Sequence, residues 1–188
     1  MEVQHPQSGQ AISLTERQML SLREQNRLLE GKLRELIQFG EENDSISKRM
    51  HQMSLALMGA SDLEALLSSF QQNLRENFAL PAVALRIWPE KHSLSLSEVD
   101  AVSTEMQVFA ESLAKPYCGP NLMFESVSWF QGDSSSLKSY AYVPLSGDAV
   151  FGVLALGSDD AKRFFPDMGT LYLKRLGELI SAALRRFI

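Results

Sequence analysis

Residues 140–158 read YAYVPLSGDAVFGVLALGS, and this stretch decides the fold. Two mostly apolar segments, 138–145 and 149–156, flank the tripeptide Ser146-Gly147-Asp148. Because Gly and Asp suit tight hairpin turns, the stretch predicts two antiparallel strands joined by a turn. A last helix should follow, with Asp167 as its N-cap and with an apolar row at helical spacing: Leu173, Leu176, Ile180, Ala183 and Phe187.

Upstream of the hairpin, the patterns alternate between helix and strand. A helix over 63–78 is predicted behind Ser61–Glu64, which has the Ser-x-x-Glu form of a capping box. The β-branched stretch 82–88, AVALRIW, predicts a strand. A further capping box, Ser95–Glu98, predicts the start of an amphipathic helix over 99–113.

The N-terminal third predicts one long helix. Ser13–Glu16 is again a capping box, and residues 13–58 contain no proline. An unbroken helix of this length would measure about 65 Å. Gly40 to Asp44 weakens the apolar pattern and indicates a bend or an ordinary polar stripe. The expected organisation is therefore a tail at 1–12, a dimerisation helix at 13–58 and a globular domain at 59–188.

The long helix carries a row of apolar residues at alternating spacings of three and four, which is the seam pattern of a coiled coil. Asn26 interrupts the row, and a buried Asn favours a fixed register between two strands because it bonds to its mate. The sequence predicts a homodimer, and a single amphipathic helix packed on its own domain is the alternative. The seam consists of Met19, Leu22, Asn26, Leu29, Leu33 and Leu36.

Composition limits the kinds of partner. A net charge of −5 argues against direct binding to nucleic acid, which needs clustered basic residues. No run of about 18 apolar residues exists, so no membrane span is expected, and the start has no signal-peptide pattern. One cysteine permits no intramolecular disulfide, which agrees with a cytoplasmic protein.

The order of elements resembles the GAF fold, and the whole chain resembles the bacterial family of unknown function DUF484. The quoted matches are SLTERQ (13–18), LREQN (22–26), KPYCGP (115–120) and FFPDMGTLYL (164–173). The resemblance implies an α+β fold in which a six-stranded antiparallel sheet has the coil helices on one side and a potential ligand cavity on the other. It also implies a helical segment ahead of His5 and Pro6. It implies no known reaction.

If that cavity binds a ligand, its walls should come from the sheet and from the irregular segment 117–137. Arg86 would suit an anionic ligand, or it faces outward as an ordinary strand residue. The aromatic residues are either part of a ligand site or part of the core. The predicted pocket residues are Arg86, Tyr117, Cys118, Phe124, Trp129 and Tyr142.

Few residues suggest chemistry. His5, His51 and His92 have no metal-ligand spacing, and no phosphate-binding loop is present, so neither a metal nor another cofactor is expected. Cys118 could act as a nucleophile only if a nearby cation lowered its pKa, and Lys115 is the one base close by in sequence. We expect a non-catalytic regulatory or adaptor protein that binds a small molecule or a protein; the alternatives are a Cys118-dependent redox enzyme and a structural scaffold.

Overall fold

The computed structural model describes residues 14–88, 102–121, 124–130, 134–166 and 168–188. The chain divides into two compact units, one ending at Ser45 and the other comprising Ile46–Ile188. The described helices are α1 (Leu14–Met58), α2 (Leu63–Glu76), α3 (Thr104–Ser112) and α4 (Leu171–Leu184), and the strands are β1 (Ala82–Ile87), β2 (Tyr117–Gly119), β3 (Ser139–Ser146) and β4 (Val150–Ser158).

Helix α1 is helical without interruption from Leu14 to Met58. Residues Gly40 to Asp44, where the sequence predicted a weak point, are helical like the rest of α1. The predicted N-cap Ser13 lies outside the described residues. The second compact unit begins at Ile46, inside the helix, whereas the predicted boundary at 58/59 marks only the helix end.

In the second unit, four antiparallel strands form a sheet in the order β1-β4-β3-β2. The predicted hairpin is present as β3 and β4, each within two residues of its predicted ends. The described residues contain four strands where the resemblance implies six. Strand β2 was not predicted, because its three residues lie in a segment that the sequence pattern assigned to irregular structure.

The two faces of the sheet cover different cores, because successive side chains of a strand point to opposite sides. The helix face packs against the end of α1, against α2 and against α4; it includes Val83, Leu85, Cys118, Ala141, Val143, Leu145, Leu154 and Leu156. The aromatic face packs against α3 and Phe130; it includes Ala82, Ala84, Tyr140, Tyr142, Val153 and Ala155.

The helix starts differ in detail from the predictions. Asp62, and not Ser61, is the N-cap of α2: its carboxylate accepts a hydrogen bond from the Ala65 amide at 2.8 Å. Thr170, and not Asp167, is the N-cap of α4. Asp167 and the capping box Ser95–Glu98 lie outside the described residues, and α3 starts at Thr104 with Ser103 as its N-cap.

Candidate functional site

Four of the six predicted pocket residues meet on the aromatic face. Tyr142 lies on β3 within the aromatic core, and Tyr117 pairs with it across strands β2 and β3. Arg86 lies on β1, and its guanidinium carbon is 5.2 Å from the centre of the Trp129 ring. Phe124 begins a 3-10 helix (Phe124–Trp129), and its side chain lies outside the described part.

Tyr142 is fully buried, and its hydroxyl ties two separate segments to the sheet. The hydroxyl donates to Oδ1 of Asn121 at 2.6 Å and pairs with Oγ of Ser126 at 2.6 Å. Since the hydroxyl has one proton, it accepts the hydrogen bond from Ser126. The Phe109 ring meets the Tyr142 ring edge-on, with 5.6 Å between the ring centres. Apolar and polar contacts therefore both fix the position of the Tyr142 side chain.

The 3-10 helix is also fixed to α3. The Glu125 carboxylate accepts hydrogen bonds from the Ser103 amide, at 3.1 Å, and from the Ser103 hydroxyl. The same hydroxyl accepts from the Met106 amide at 3.2 Å and so caps α3. One carboxylate therefore joins the start of α3 to the segment that covers the aromatic face.

Cys118 is separated from the other predicted pocket residues. It follows Tyr117 in β2, so its side chain points to the opposite side and joins the helix-face core. Burial raises the pKa of the Cys118 thiol to about 11, and Lys115 opposes this shift only weakly. A thiol in this state carries little of the thiolate that nucleophilic chemistry requires.

The predicted dimer seam lies on an exposed part of α1. Asn26 and every apolar seam residue are exposed, with Met19 at 49% and Leu36 at 66%. Leu28, which lies off the seam, is 59% exposed, and its seam neighbour Leu29 is 63% exposed. Exposure alone therefore does not distinguish seam residues from other apolar residues of this helix.

A groove that the sequence did not reveal lies between β3 and α4. It has a volume of about 190 Å³, and its lining includes Lys115, Pro144, Lys174 and Ser181. These residues come from separate segments, so no local motif could indicate the groove. Lys174 pairs with Glu178 at 3.9 Å across one helical turn, an exposed pair of little energetic value.

The described part of the chain contains neither of two kinds of feature. No helix there is long and apolar enough to cross a membrane. Within the same ranges, no group of three or more His, Cys, Asp or Glu side chains could hold a metal ion.

Residues 1–188 match the family described as protein of unknown function, DUF484. The chain belongs to the DUF484 family. This confirms the resemblance seen in the sequence. The DUF484 chain is 24% identical over 199 residues to the uncharacterized protein YigA of Salmonella typhimurium, covering all of this chain and 82% of that protein.

Solved structures similar to this DUF484 protein include GAF domains. The GAF domain of a phosphoenolpyruvate-protein phosphotransferase from Coxiella burnetii has a TM-score of 0.56 and 13% identity, over 76% of this chain and 94% of that one. The A. aeolicus nlh2 GAF domain in an inactive state has a TM-score of 0.51 and 15% identity, over 77% of this chain and 98% of that one. At these identities the likeness shows a GAF-like fold.

Proposed function

We propose that this DUF484 protein is a non-catalytic regulatory or adaptor protein that works in the cytoplasm as a homodimer paired through α1. In this proposal the GAF-like domain binds a small molecule or a protein partner, and the paired helices bring two such domains into one assembly. The observation that carries the proposal is the exposed seam of α1, which extends over Met19 to Leu36.

The exposed seam supports pairing because it leaves large apolar side chains in water. Burying an exposed Leu side chain stabilises a protein by roughly 1.5 to 3 kcal/mol. Leu22, Leu29, Leu33 and Leu36 are each more than half exposed in the single chain. A partner that covers this row would therefore gain several such contributions.

A second copy of the same chain is the partner that fits the seam. Alternating spacings of three and four place the row along one side of a helix, where it can pack against the same row of another helix. Asn26 supports a copy as the partner, because its amide can both donate to and accept from the Asn26 of the other chain. The exposed helix also carries both charge signs, which allows two identical helices to approach each other.

The test compares two neighbouring leucines of nearly equal exposure. Leu29→Glu places a charge in the seam, and Leu28→Glu places the same charge outside it. Burying an unpaired carboxylate costs several kcal/mol, so Leu29→Glu should weaken dimerisation by about a hundredfold or more. Light scattering at micromolar concentration should give twice the chain mass of 21.0 kDa for the wild type and for Leu28→Glu, and 21.0 kDa for Leu29→Glu.

Two results would contradict the proposal. One is a wild-type mass of 21.0 kDa at micromolar concentration, since a functional dimer would then not form. The other is an equal effect of the two substitutions, because a general loss of solubility or helix stability would then explain the data. Circular dichroism of both variants checks that each remains as helical as the wild type.

A further inference from the structure

The aromatic face is the side of the sheet on which the GAF resemblance puts a ligand cavity. In this chain its centre is filled by side chains of the protein itself: Ala84, Met106, Ala110, Phe130, Tyr142, Val153 and Ala155 are all buried. We infer that the 3-10 helix Phe124–Trp129, with its neighbours Asn121 and Phe130, is a built-in occupant of this face. The domain would then complete its core without a small molecule, and of the two kinds of partner in the proposed function this favours a protein that binds outside this face.

The first support is the polar centre of the face. A buried tyrosine hydroxyl needs a hydrogen-bond partner, and in a ligand site a bound molecule can supply it. Here the Tyr142 hydroxyl donates to Asn121 and accepts from Ser126, both at 2.6 Å. Two residues of the covering segment therefore take the positions that polar groups of a ligand would occupy.

The second support is that contacts fix both ends of the 3-10 helix. Near its start, the Glu125 carboxylate binds the amide and hydroxyl of Ser103 at the N-cap of α3. At its end, Trp129 stacks on the guanidinium of Arg86 at 5.2 Å. Phe130 follows as a buried residue, 6.3 Å from the Tyr140 ring. The segment is therefore held by contacts with three separate elements: the start of α3, β1 and β3.

A built-in occupant has a functional consequence. Any small molecule that used the same face would have to displace Ser126, Asn121 and Trp129. Its apparent affinity would equal its affinity for the displaced form multiplied by the fraction of protein in that form. The GAF-like domain would therefore act as a constitutive platform. Regulation would then come from what the dimer contacts, and the aromatic face would not respond to a metabolite.

The first experiment asks whether a carried-over ligand supports the fold. The full chain is unfolded in guanidinium, dialysed free of small molecules, refolded and compared with untreated protein. We expect Tm values that agree within about 1 °C, since refolding restores the same core. Native mass spectrometry should give the mass of the protein alone. A reproducible small-molecule adduct, together with a lower Tm after refolding, would overturn the inference.

The second experiment tests the anchoring hydroxyl against a matched control. Tyr142→Phe removes both hydrogen bonds to the covering segment. Tyr140→Phe removes a hydroxyl from a tyrosine of the same strand and face, for which the structure gives no hydrogen bond within the described residues. Tyr142→Phe should lower Tm by about 3 to 8 °C, and Tyr140→Phe should change it by less than half as much.

Fluorescence shows whether the loss of stability in Tyr142→Phe comes with a loosening of the covering segment itself. In a Trp88→Phe background, Trp129 is the only tryptophan, because the chain has two. We expect Tyr142→Phe to increase acrylamide quenching of Trp129 and to shift its emission to the red, while Tyr140→Phe leaves both unchanged. If the two variants give equal quenching, the Tyr142 hydroxyl does not hold the segment and the inference is wrong. Light scattering on the same samples measures dimerisation separately.

Discussion

At the scale of single residues, strand alternation decides what Cys118 can do. The sequence placed it in a loop with Tyr117 and predicted that both could face a ligand. The structure makes Tyr117 to Gly119 a strand, so the two side chains point to opposite sides of the sheet. The thiol thereby enters an apolar core, and burial raises its pKa. This environment opposes the redox-enzyme alternative.

The thiol should therefore react slowly in the folded protein. Because burial raises the pKa of Cys118 from 9.0 to about 11, folding lowers the thiolate fraction near neutral pH by about a hundredfold. Alkylation by iodoacetamide at pH 7.5 should be slower by at least this factor in native protein than in protein unfolded by guanidinium. The native rate should rise about tenfold per pH unit until the pH approaches 11. A native rate equal to the unfolded rate would contradict the burial of the thiol, and a faster native rate would show an activated thiol.

Other site residues were predicted as a group but not in their roles. Arg86, Tyr117, Trp129 and Tyr142 do lie on one face. They were predicted as walls of the cavity that the GAF resemblance implies, and two of them came from the segment predicted to be irregular. The sequence could not show that Ser126 and Asn121 bind the Tyr142 hydroxyl. Those contacts join residues 16 and 21 positions apart in the chain, and no local pattern specifies such pairings.

At the scale of elements, predictions succeeded where local chemistry is sufficient. The hairpin of β3 and β4 follows from its turn residues and from the two mostly apolar segments beside them. Strand β2 was missed because three residues give no periodicity, and its existence depends on pairing with β3. The N-cap of α2 was assigned one residue early, since Ser61 and Asp62 are both good caps and only geometry selects Asp62.

The packing of α4 on β3 depends on a glycine. A Cβ at Gly177 would lie 2.6 Å from Cγ1 of Val143, a buried β-branched residue that has little freedom to move. Overpacking of this kind costs about 1 to 3 kcal/mol, which exceeds the gain of about 1 kcal/mol from replacing a helical Gly by Ala. The difference predicts that Gly177→Ala lowers the free energy of unfolding in urea by up to about 2 kcal/mol.

Gly31→Ala is the matched control for Gly177→Ala. Gly31 is also inside a helix, but no atom lies within 4 Å of the position of its missing Cβ. The substitution should raise the free energy of helix unfolding by up to about 1 kcal/mol, because Ala restricts the unfolded chain and favours the helix. If both substitutions stabilise the protein, the close approach of α4 to β3 is not as tight as the structure indicates.

At the scale of the whole molecule, the family resemblance predicted the fold, whereas the pattern of residues predicted only its separate elements. Periodicity predicts helices and strands, but the order of strands in a sheet is a matter of long-range pairing. The GAF-like fold was predicted from the order of elements and the family from short matching segments, and the comparisons confirm both. The resemblance was least informative about the aromatic face, because the filling of a cavity depends on individual side chains that differ between proteins of 13% identity.

The expected and observed structures differ most in where the globular domain begins. The sequence placed the boundary at 58/59, where α1 ends at a glycine. In the structure the last turns of α1 belong to the second compact unit, in which Met53 and Leu57 are almost completely buried. The Arg186 guanidinium also donates to the Leu57 carbonyl at 3.3 Å. Residues 46–58 are therefore part of the core that the sheet needs.

Two truncated chains test this boundary. A chain of residues 46–188 keeps Met53 and Leu57, so it should unfold cooperatively; without the seam it should be a monomer. A chain of residues 59–188 loses both side chains, each worth about 2 to 5 kcal/mol, and its Tm should be lower by about 10 °C or more. Calorimetry and light scattering measure the two properties on the same samples. Equal Tm values for the two chains would show that residues 46–58 only rest on the domain, and that the helix end is the true boundary.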